Sequence, residues 1–514
     1  MIVSDAIQAG VADNVREVIH ALDHLPTRIE HATASSRDAR AGSVFLAYPG
    51  AARDGRSFID DAVSRGVSAV LYEAGGDFVW NPLWRVPHVA VRDLKQFASI
   101  IGAHVYSHPS NELWMVGVTG TNGKTSVSQW IAHALDMAGR PSAVLGTIGN
   151  GMVGRLQTSD NTTPDALLLQ RQLREFVAAG ASCCAMEVSS HGLDQGRVSD
   201  VKYDVAVFTN LTRDHLDYHG NMEAYGEAKA KLFTLRGLKS AVINVDDAFG
   251  RELAGRAERR GVEVIRYATQ SGAKFANLIA HNIAVTSAGL SFTVQSLDAN
   301  GLTVAQAFVE TDILGAFNAS NLLAVIGCLK ASGVSIASAA SIVGRMKPVP
   351  GRMQTVRAAV NHANKPLVVV DYAHTPDALE KVLSTISAVV PDKGRLISVF
   401  GCGGDRDRGK RPQMGVISGR YADFTIVTSD NPRTEDPLQI LADIETGIGD
   451  APHHTVADRQ QAIFEALDRA AACDVVVIAG KGHEDYQIVG DTKLHFSDIE
   501  VATEALAVWK GRAE

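Results

Sequence analysis

The sequence predicts an α/β protein of three domains, and three observations carry that expectation. At 514 residues the chain is longer than one hydrophobic core accommodates. Between about residues 111 and 350, apolar runs of strand length alternate with helically spaced ones, which predicts a mainly parallel sheet with helices on both faces. Near residue 350 the stretch Val349-Pro350-Gly351-Arg352 interrupts regular structure, and beyond it the alternation restarts. The expected domains are 1–110, a small α/β module; 111–350, a central parallel sheet built on a phosphate loop; and 351–514, a second α/β domain of nucleotide-binding type.

Composition narrows the class. A hydrophobic content of 46% with 21% charged residues is that of an ordinary soluble globular protein. The net charge of -8 gives no electrostatic case for nucleic-acid binding, so any phosphates are held by local loops rather than by a basic face. Residues 1–6 lack the basic start and apolar core of an export signal, and no apolar run approaches membrane-spanning length. Five cysteines, an odd number without CxxC spacing, read as free thiols in a reducing cytoplasm.

In the first segment, strand-like runs at 43–47, 69–72 and 89–91 surround an amphipathic helix at 58–65. Two polar clusters, 34–38 and 54–56, lie beside a strand or a helix start. Ser and Asp there serve turns and caps as readily as ligands, so the residues alone leave this module's ligand open.

The central segment has the most informative stretch. An apolar run at 113–118 leads into Gly120-Thr121-Asn122-Gly123-Lys124-Thr125, and helical spacing follows from 126 to 135. Strand, glycine loop and helix start form an anion cradle: backbone N–H groups and the helix dipole face the phosphates, Lys124 adds a mobile charge, and the Thr125 hydroxyl suits Mg²⁺. The spacing departs from GxxxxGK[ST], because Val118 stands where the first glycine belongs. Further strand-like runs at 142–148, 183–188, 205–208 and 241–245 also end in polar residues. Glu187 closes one run and His215 lies shortly after another, so both can reach a metal that bridges phosphates. Lys229 and Lys231, on a helical stretch, read by composition as a solvated face.

In the last segment, runs at 367–371, 396–400, 425–428 and 475–479 each end in a polar cluster, at 371–376, 401–408, 429–436 and 480–485. Parallel strands with all such residues at one end predict a Rossmann-like domain. The glycines at 401–404 lack GxGxxG spacing, and the Arg and Asp after them point to a charged, zwitterionic ligand.

Together these residues resemble the Mur ligase family, the cytoplasmic ATP-dependent amide-forming enzymes of peptidoglycan synthesis. The resemblance spans essentially the whole chain: GTNGKT at 120–125, NTTP at 161–164, MEVSSHGL at 186–193, TNLTRDHLDYHG at 209–220, LGAFNASN at 314–321, DYAHTPDAL at 371–379, GCGGDRDRGKRP at 401–412, DNPR at 430–433 and GKGHEDYQ at 480–487. It implies an N-terminal domain that holds a uridine nucleotide, with Ser36 at a contact position. It implies ATP at Gly120 to Thr125, with Asn318 and Asn321 on the adenine side and Arg352 and Asp371 reaching the nucleotide. Asn161, Thr162, Thr163, Ser189, Gln195 and Arg197 match contacts to a UDP-N-acetylmuramoyl-L-alanyl-D-glutamate substrate. Arg406, Asp430, Asn431, Pro432, Arg433, Gly480 and Glu484 match a site for meso-2,6-diaminopimelate. Lys124, Glu187 and His215 match catalytic positions, and Lys229 matches a lysine carbamylated by CO₂; Thr125, Glu187, His215 and carbamylated Lys229 are the implied Mg²⁺ ligands. The resemblance also implies a monomer that works on small molecules.

The implied chemistry suits these residue types. A carboxylate does not acylate an amine in water without activation, so ATP must first convert it to an acyl phosphate, and phosphoryl transfer between anions needs aimed positive charge. Because donors and acceptor are expected on different domains, domain closure is an expected step. A folylpolyglutamate synthetase shares the ATP chemistry but gives no reason for DNPR or for the N-terminal module. A binding protein without turnover gives no reason for Lys124, Glu187, His215 and Lys229 together.

Overall fold

Residues 11–50, 53–159, 161–269, 274–286, 288–356 and 365–511 are described in a computed structural model; residues 1–6, read above for an export signal, lie outside them. The chain divides into two units. One comprises Met1–Ile279, Leu297–Gly301 and Ala324–Ser335; the other comprises Ala280–Ser296, Leu302–Leu323 and Ile336–Glu514.

The first unit contains two sheets. The smaller runs in the order Val11–Ala12, His88–Val91, Ala69–Glu73, Ser43–Ala47, His31–Thr33, with every pair parallel. Alternation along Ser43–Ala47 sends Val44 and Leu46 to a core shared with Val18, Leu22 and Ile101, and Phe45 and Ala47 to one shared with Ile59 and Ala62. The helix expected at 58–65 is a 3₁₀ turn, Gly55–Phe58, leading into Ile59–Ser64. Two longer helices, Val15–Asp23 and Leu94–Val105, accompany it.

The larger sheet of this unit takes the order Ser142–Leu145, Cys183–Glu187, Trp114–Thr119, Val205–Phe208, Ser240–Asn244, Glu263–Ala268, parallel throughout. From Trp114–Thr119 the chain crosses to one side for two strands and then to the other side for the next three. Loops leaving on either side of Trp114–Thr119 therefore diverge, and a crevice opens at its carboxyl end. A short antiparallel ribbon, Asn150–Met152 and Arg155–Gln157, extends the Ser142–Leu145 edge. At the opposite edge Leu278 and Ile279 pair with Tyr267 and Ala268. Their strand, Leu278–Thr286, is followed in sheet order by Gly289–Leu297 and Thr303–Thr311, so the stretch without motifs at 268–310 is largely strand.

In the second unit a six-stranded sheet runs Gln354–Val356, Leu367–Asp371, Val475–Ala479, Leu396–Phe400, Phe424–Thr428, His453–Val456; only the first pair is antiparallel. Val369, Phe400 and Val477 pack on Leu379, Leu383 and Ile444, while Val368, Ile397 and Ile478 face Ile463, Ala466 and Leu506. Helices thus cover both faces. Pro376–Ser387 and Pro437–Ile448 begin with proline at a position whose N–H has no helical partner, and they are capped by Thr375 and Asp436.

One ion pair in this unit is wholly enclosed. Arg459 and Asp498 have no exposed side-chain surface and meet at 2.7 Å, and the same guanidinium donates to Ser429 O at 3.2 Å and Ala479 O at 3.0 Å. It ties the ends of Phe424–Thr428 and Val475–Ala479 to one another across the intervening strand Leu396–Phe400. Arg459→Met would leave Asp498 buried without its cation, and we expect a loss of about 3–5 kcal/mol in urea unfolding of this unit. Among the described residues no helix is long and apolar enough to cross a membrane.

Candidate active site

The phosphate loop leaves Trp114–Thr119 and enters the helix Lys124–Met137. Gly120 and Gly123 take φ +149° and +89°. A Cβ on Gly120 would lie 1.9 Å from Thr209 Oγ1, so only glycine fits where the next strand's end crosses the loop. That crossing is held by hydrogen bonds from Thr121 N to Asn210 O (2.8 Å), Asn122 N to Asn210 Oδ1 (3.0 Å) and Thr209 Oγ1 to Asn122 O (2.6 Å). The departure at position 118 has a plain cause. Val118 is inside the strand, and Gly117 is small because a Cβ there would meet the Tyr203 ring at 2.8 Å.

Glu187 ends the neighbouring strand fully buried. Its carboxylate accepts from Thr125 Oγ1 at 2.9 Å, from Thr147 N at 2.7 Å and from Thr147 Oγ1 at 3.2 Å, and the Thr147 hydroxyl also meets Thr162 Oγ1 at 3.0 Å. Gly146 makes room, since a Cβ there would be 2.3 Å from Glu187 Oε1. A carboxylate and a hydroxyl therefore stand together at the helix N-terminus.

Lys229 is 1% exposed, not part of a solvated face. Its Nζ donates to Gly120 O at 2.9 Å and lies 4.2 Å from the centre of the Tyr225 ring. Lys124 Nζ donates to the same Gly120 O at 3.0 Å and to Thr121 O at 2.9 Å. Burial, aided by the Lys124 charge, pushes the Lys229 ammonium well below the usual lysine range, with Asp214 opposing. Lys231, in contrast, is half-exposed and pairs with Asp194 at 2.7 Å. His215, at φ +52°, faces Asp214 at 3.4 Å and His191 ring to ring at 4.9 Å. Burial holds the His215, His191 and His219 imidazoles below their usual value.

Beside Glu187 a second hydrogen-bonded set forms. Thr163 Oγ1 donates to Glu187 O at 2.9 Å and accepts from Ser189 N at 3.0 Å, while Arg197 reaches Thr163 O at 2.7 Å and Gln195 Oε1 at 2.7 Å. The Gln195 amide in turn lies 3.4 Å from Tyr218 Oη. Asn161 is exposed, and its carbonyl accepts from Ser159 Oγ at 2.9 Å. Ser36 is buried in the 3₁₀ turn Ser36–Asp38 of the smaller sheet's module.

In the second unit Asn318 and Asn321 join side chain to side chain at 2.9 Å, and Asn318 is anchored on Leu314 O at 2.7 Å. The Arg352 guanidinium lies over the Tyr372 ring, 4.5 Å from its centre. Asp371 accepts from Met353 N at 2.7 Å, and burial, opposed by Arg352, raises its carboxyl above the usual range. The remaining strand ends meet around Asn431. Its Nδ2 donates to Glu484 Oε2 at 3.0 Å, and the Arg433 Nη1 donates to Gly404 O at 2.8 Å. Arg433 sits at φ +52°, clamped by backbone hydrogen bonds to Ile488 O (3.1 Å) and from Gly490 N (2.8 Å), which belong to the ribbon of Tyr486–Val489 and Thr492–His495. Pro432 precedes it. Gly480, at φ +120°, lies so close that a Cβ would be 3.1 Å from Asp430 Oδ2. Arg406 is exposed on the glycine loop.

Three family models match the chain: Mur ligase family, catalytic domain, over residues 28–106; Mur ligase middle domain over 118–329; and Mur ligase, glutamate ligase domain, over 351–482. A UDP-N-acetylmuramoyl-L-alanyl-D-glutamate–2,6-diaminopimelate ligase of Chromobacterium violaceum is 48% identical over 96% of this chain and 97% of its own. The chain belongs to the Mur ligase family. The like-named ligase of Pseudomonas aeruginosa is 47% identical over 94% of this chain and 96% of its own. A solved structure of that name superposes with TM-score 0.67 at 37% identity, covering 93% of this chain and 94% of its own. Folylpolyglutamate synthase of Mycobacterium tuberculosis shares the fold at TM-score 0.59 and 17% identity, over 75% of this chain and 92% of its own. The three-domain α/β architecture expected from the sequence is that of the Mur ligases.

Several residues around these Mur ligase strand ends escaped sequence reasoning. Thr147 supports the Glu187 carboxylate from a turn with no motif. Lys481, within the strand-end cluster 480–485 but given no role of its own, is 0% exposed and touches Asn431 Oδ1 at 2.9 Å. Arg411, equally buried, holds Glu435 at 2.9 Å and Asp443 at 2.9 Å, bracing the loop after Arg433. Its guanidinium and the backbone N–H of Asp405 hold the Glu435 carboxyl well below its usual value, down to about 2.

Proposed function

We propose that this chain is an ATP-dependent ligase that adds meso-2,6-diaminopimelate to the D-glutamyl γ-carboxylate of UDP-N-acetylmuramoyl-L-alanyl-D-glutamate, as a cytoplasmic monomer with domains bounded near residues 110 and 350. One observation carries the reading. A phosphate loop backed by Glu187 and a strand-end cluster of Asp430, Asn431, Arg433 and Glu484 occur on one chain that is 48% identical, along nearly its whole length, to a relative named for that reaction.

In this reading the γ-phosphoryl group of ATP passes to the γ-carboxylate, giving an acyl phosphate and ADP; the amine of diaminopimelate then attacks the acyl carbon and expels phosphate. Loop N–H groups and Lys124 hold the phosphates, Asn318 and Asn321 the adenine, and Arg352 and Asp371 the rest of the nucleotide. Ser36 serves the uridine nucleotide, and Asn161, Thr162, Thr163, Ser189, Gln195 and Arg197 the muramoyl-dipeptide. Arg406, Asp430, Asn431, Pro432, Arg433, Gly480 and Glu484 orient the incoming amino acid. Two hard oxygen donors suit Mg²⁺, Thr125 Oγ1 and Glu187 Oε2, 2.9 Å apart beside the loop; His215 and Lys229 lie by Lys124 and would join them only once the ion is bound, since among the described residues no three His, Cys, Asp or Glu side chains gather as a metal site. When bound, the ion would neutralise phosphate charge. Lys229 joins that set only as a carbamate, since an ammonium offers no lone pair.

Phosphate release with the muramoyl-dipeptide nucleotide, with and without diaminopimelate, tests the reading, with a folate substrate as control. Release that requires both cell-wall substrates is expected; release with the folate, or none with either, would sink it. Lys124→Ala is expected to fold normally and to lose about 10²–10³-fold in kcat, because the lysine's charge acts on the transferring group rather than in a core. Near-normal turnover in that variant would remove this loop from the chemistry.

A further inference from the structure

Lys481 follows the strand Val475–Ala479, between Gly480 and Gly482, and its side chain is wholly enclosed. Enclosing an ammonium is costly unless its hydrogens are met, so its partners show what it serves. Nζ donates to Tyr486 O at 2.7 Å and to Asn431 Oδ1 at 2.9 Å, and it lies 3.3 Å from Asp430 Oδ1 and 3.9 Å from Glu484 Oε2. Three of these four partners belong to the cluster assigned above to the amino acid.

The Asn431 amide shows the consequence. Its Oδ1 accepts from Lys481 Nζ and from Ile488 N, each at 2.9 Å, so both lone pairs are committed to donors. The amide can then stand only one way round, with Nδ2 towards Glu484 Oε2 at 3.0 Å. Burial favours a proton on Glu484, repulsion from Asp430 in the same enclosed space adds to it, and the Lys481 charge opposes both. A protonated Glu484 would be a poorer acceptor for a substrate ammonium.

We propose that Lys481 is a positioning residue of the amino-acid site, fixing the Asn431 amide and holding the Glu484 carboxylate ready for the ammonium of the incoming amino acid. The proposal rests on the reading of that cluster as the diaminopimelate site. A purely structural lysine, stapling the ribbon through Tyr486 O, would lower stability without singling out one substrate.

Steady-state kinetics of the full chain separate the two. Lys481→Met is expected to raise the KM for diaminopimelate about tenfold or more, while the KM values for ATP and for the muramoyl-dipeptide nucleotide stay within about twofold. Combined with Asn431→Ala, it should cost little more than the worse single variant, because both act on one interaction. An unchanged diaminopimelate KM, or losses that simply add, would overturn the proposal. If Lys481→Met is insoluble, the shorter Lys481→Gln carries the same test with the same two outcomes. Failure of the underlying reading shows separately, as a wild type whose phosphate release does not depend on diaminopimelate.

Discussion

A Lys229→Ala enzyme is expected to be inactive, down about 10³-fold or more, and to regain part of its activity when short carboxylic acids are added. The argument begins with the environment of the amine. Lys229 is 1% exposed, shares the Gly120 carbonyl with Lys124, and is pushed towards its neutral form by burial and by that second charge. A neutral amine can bond the carbon of CO₂ and release a proton, and the carbamate formed is an anion. Beside Lys124 that anion would meet a cation where the ammonium met repulsion, and its oxygens would offer Mg²⁺ the hard donors that an amine lacks. An added carboxylate would occupy the space vacated in the alanine variant. Lys231→Ala, which removes only a half-exposed partner of Asp194, should stay near wild type. Full activity of Lys229→Ala without any additive would show that the amine needs no modification.

Arg433→Ala should remove most of a preference for meso-diaminopimelate over L-lysine that is expected to reach about 10⁴ in the wild type. The two amino acids differ by one carboxylate at the far end of the side chain. A guanidinium can meet that group with two parallel hydrogen bonds, and lysine leaves the same guanidinium partly desolvated without an anion. The structure supplies the rigidity this discrimination needs. Nη1 is tethered to Gly404 O, and Gly403 gives it room, since a Cβ there would come within 2.9 Å of Nη1. Glu484, held by the Asn431 amide at 3.0 Å, would take the neighbouring ammonium. Competition kinetics with both amino acids measure the ratio of specificity constants. Comparable constants in the wild type, or an undiminished preference in Arg433→Ala, would contradict the assignment.

Much of the architecture was legible because it rests on local pattern. The four apolar runs after residue 366 form strands within a residue of their expected ends, since buried parallel strands read as continuous apolar stretches between polar turns. Gly120 to Thr125 form the expected loop for the same reason. What escaped depends on contacts distant in sequence or on very short elements. Val11–Ala12 and His31–Thr33 are strands of two and three residues, too short for any period to show. The burial of Lys229 reverses what composition suggests, and only the tertiary approach of Gly120 O, 109 positions away, explains it. Arg459 and Asp498 meet across 39 positions, with neither residue in a motif. Lys481 was hidden by its flanking glycines, which signal a loop but not that the loop turns inward.

The clamp on Arg433 has a consequence for reading relatives of this protein. Its backbone N–H and C=O are both fixed by one neighbouring segment, through Ile488 O and Gly490 N, so the address of the guanidinium is written in how that segment pairs with it as well as in residue 433. A single insertion or deletion between Glu484 and Ile488 would change which residues meet Arg433 and exchange the faces of the strand. A homologue could then keep Asp-Asn-Pro-Arg letter for letter and still present its arginine elsewhere. Chain length between residues 484 and 488, rather than the motif alone, is what a search for altered substrate choice should compare.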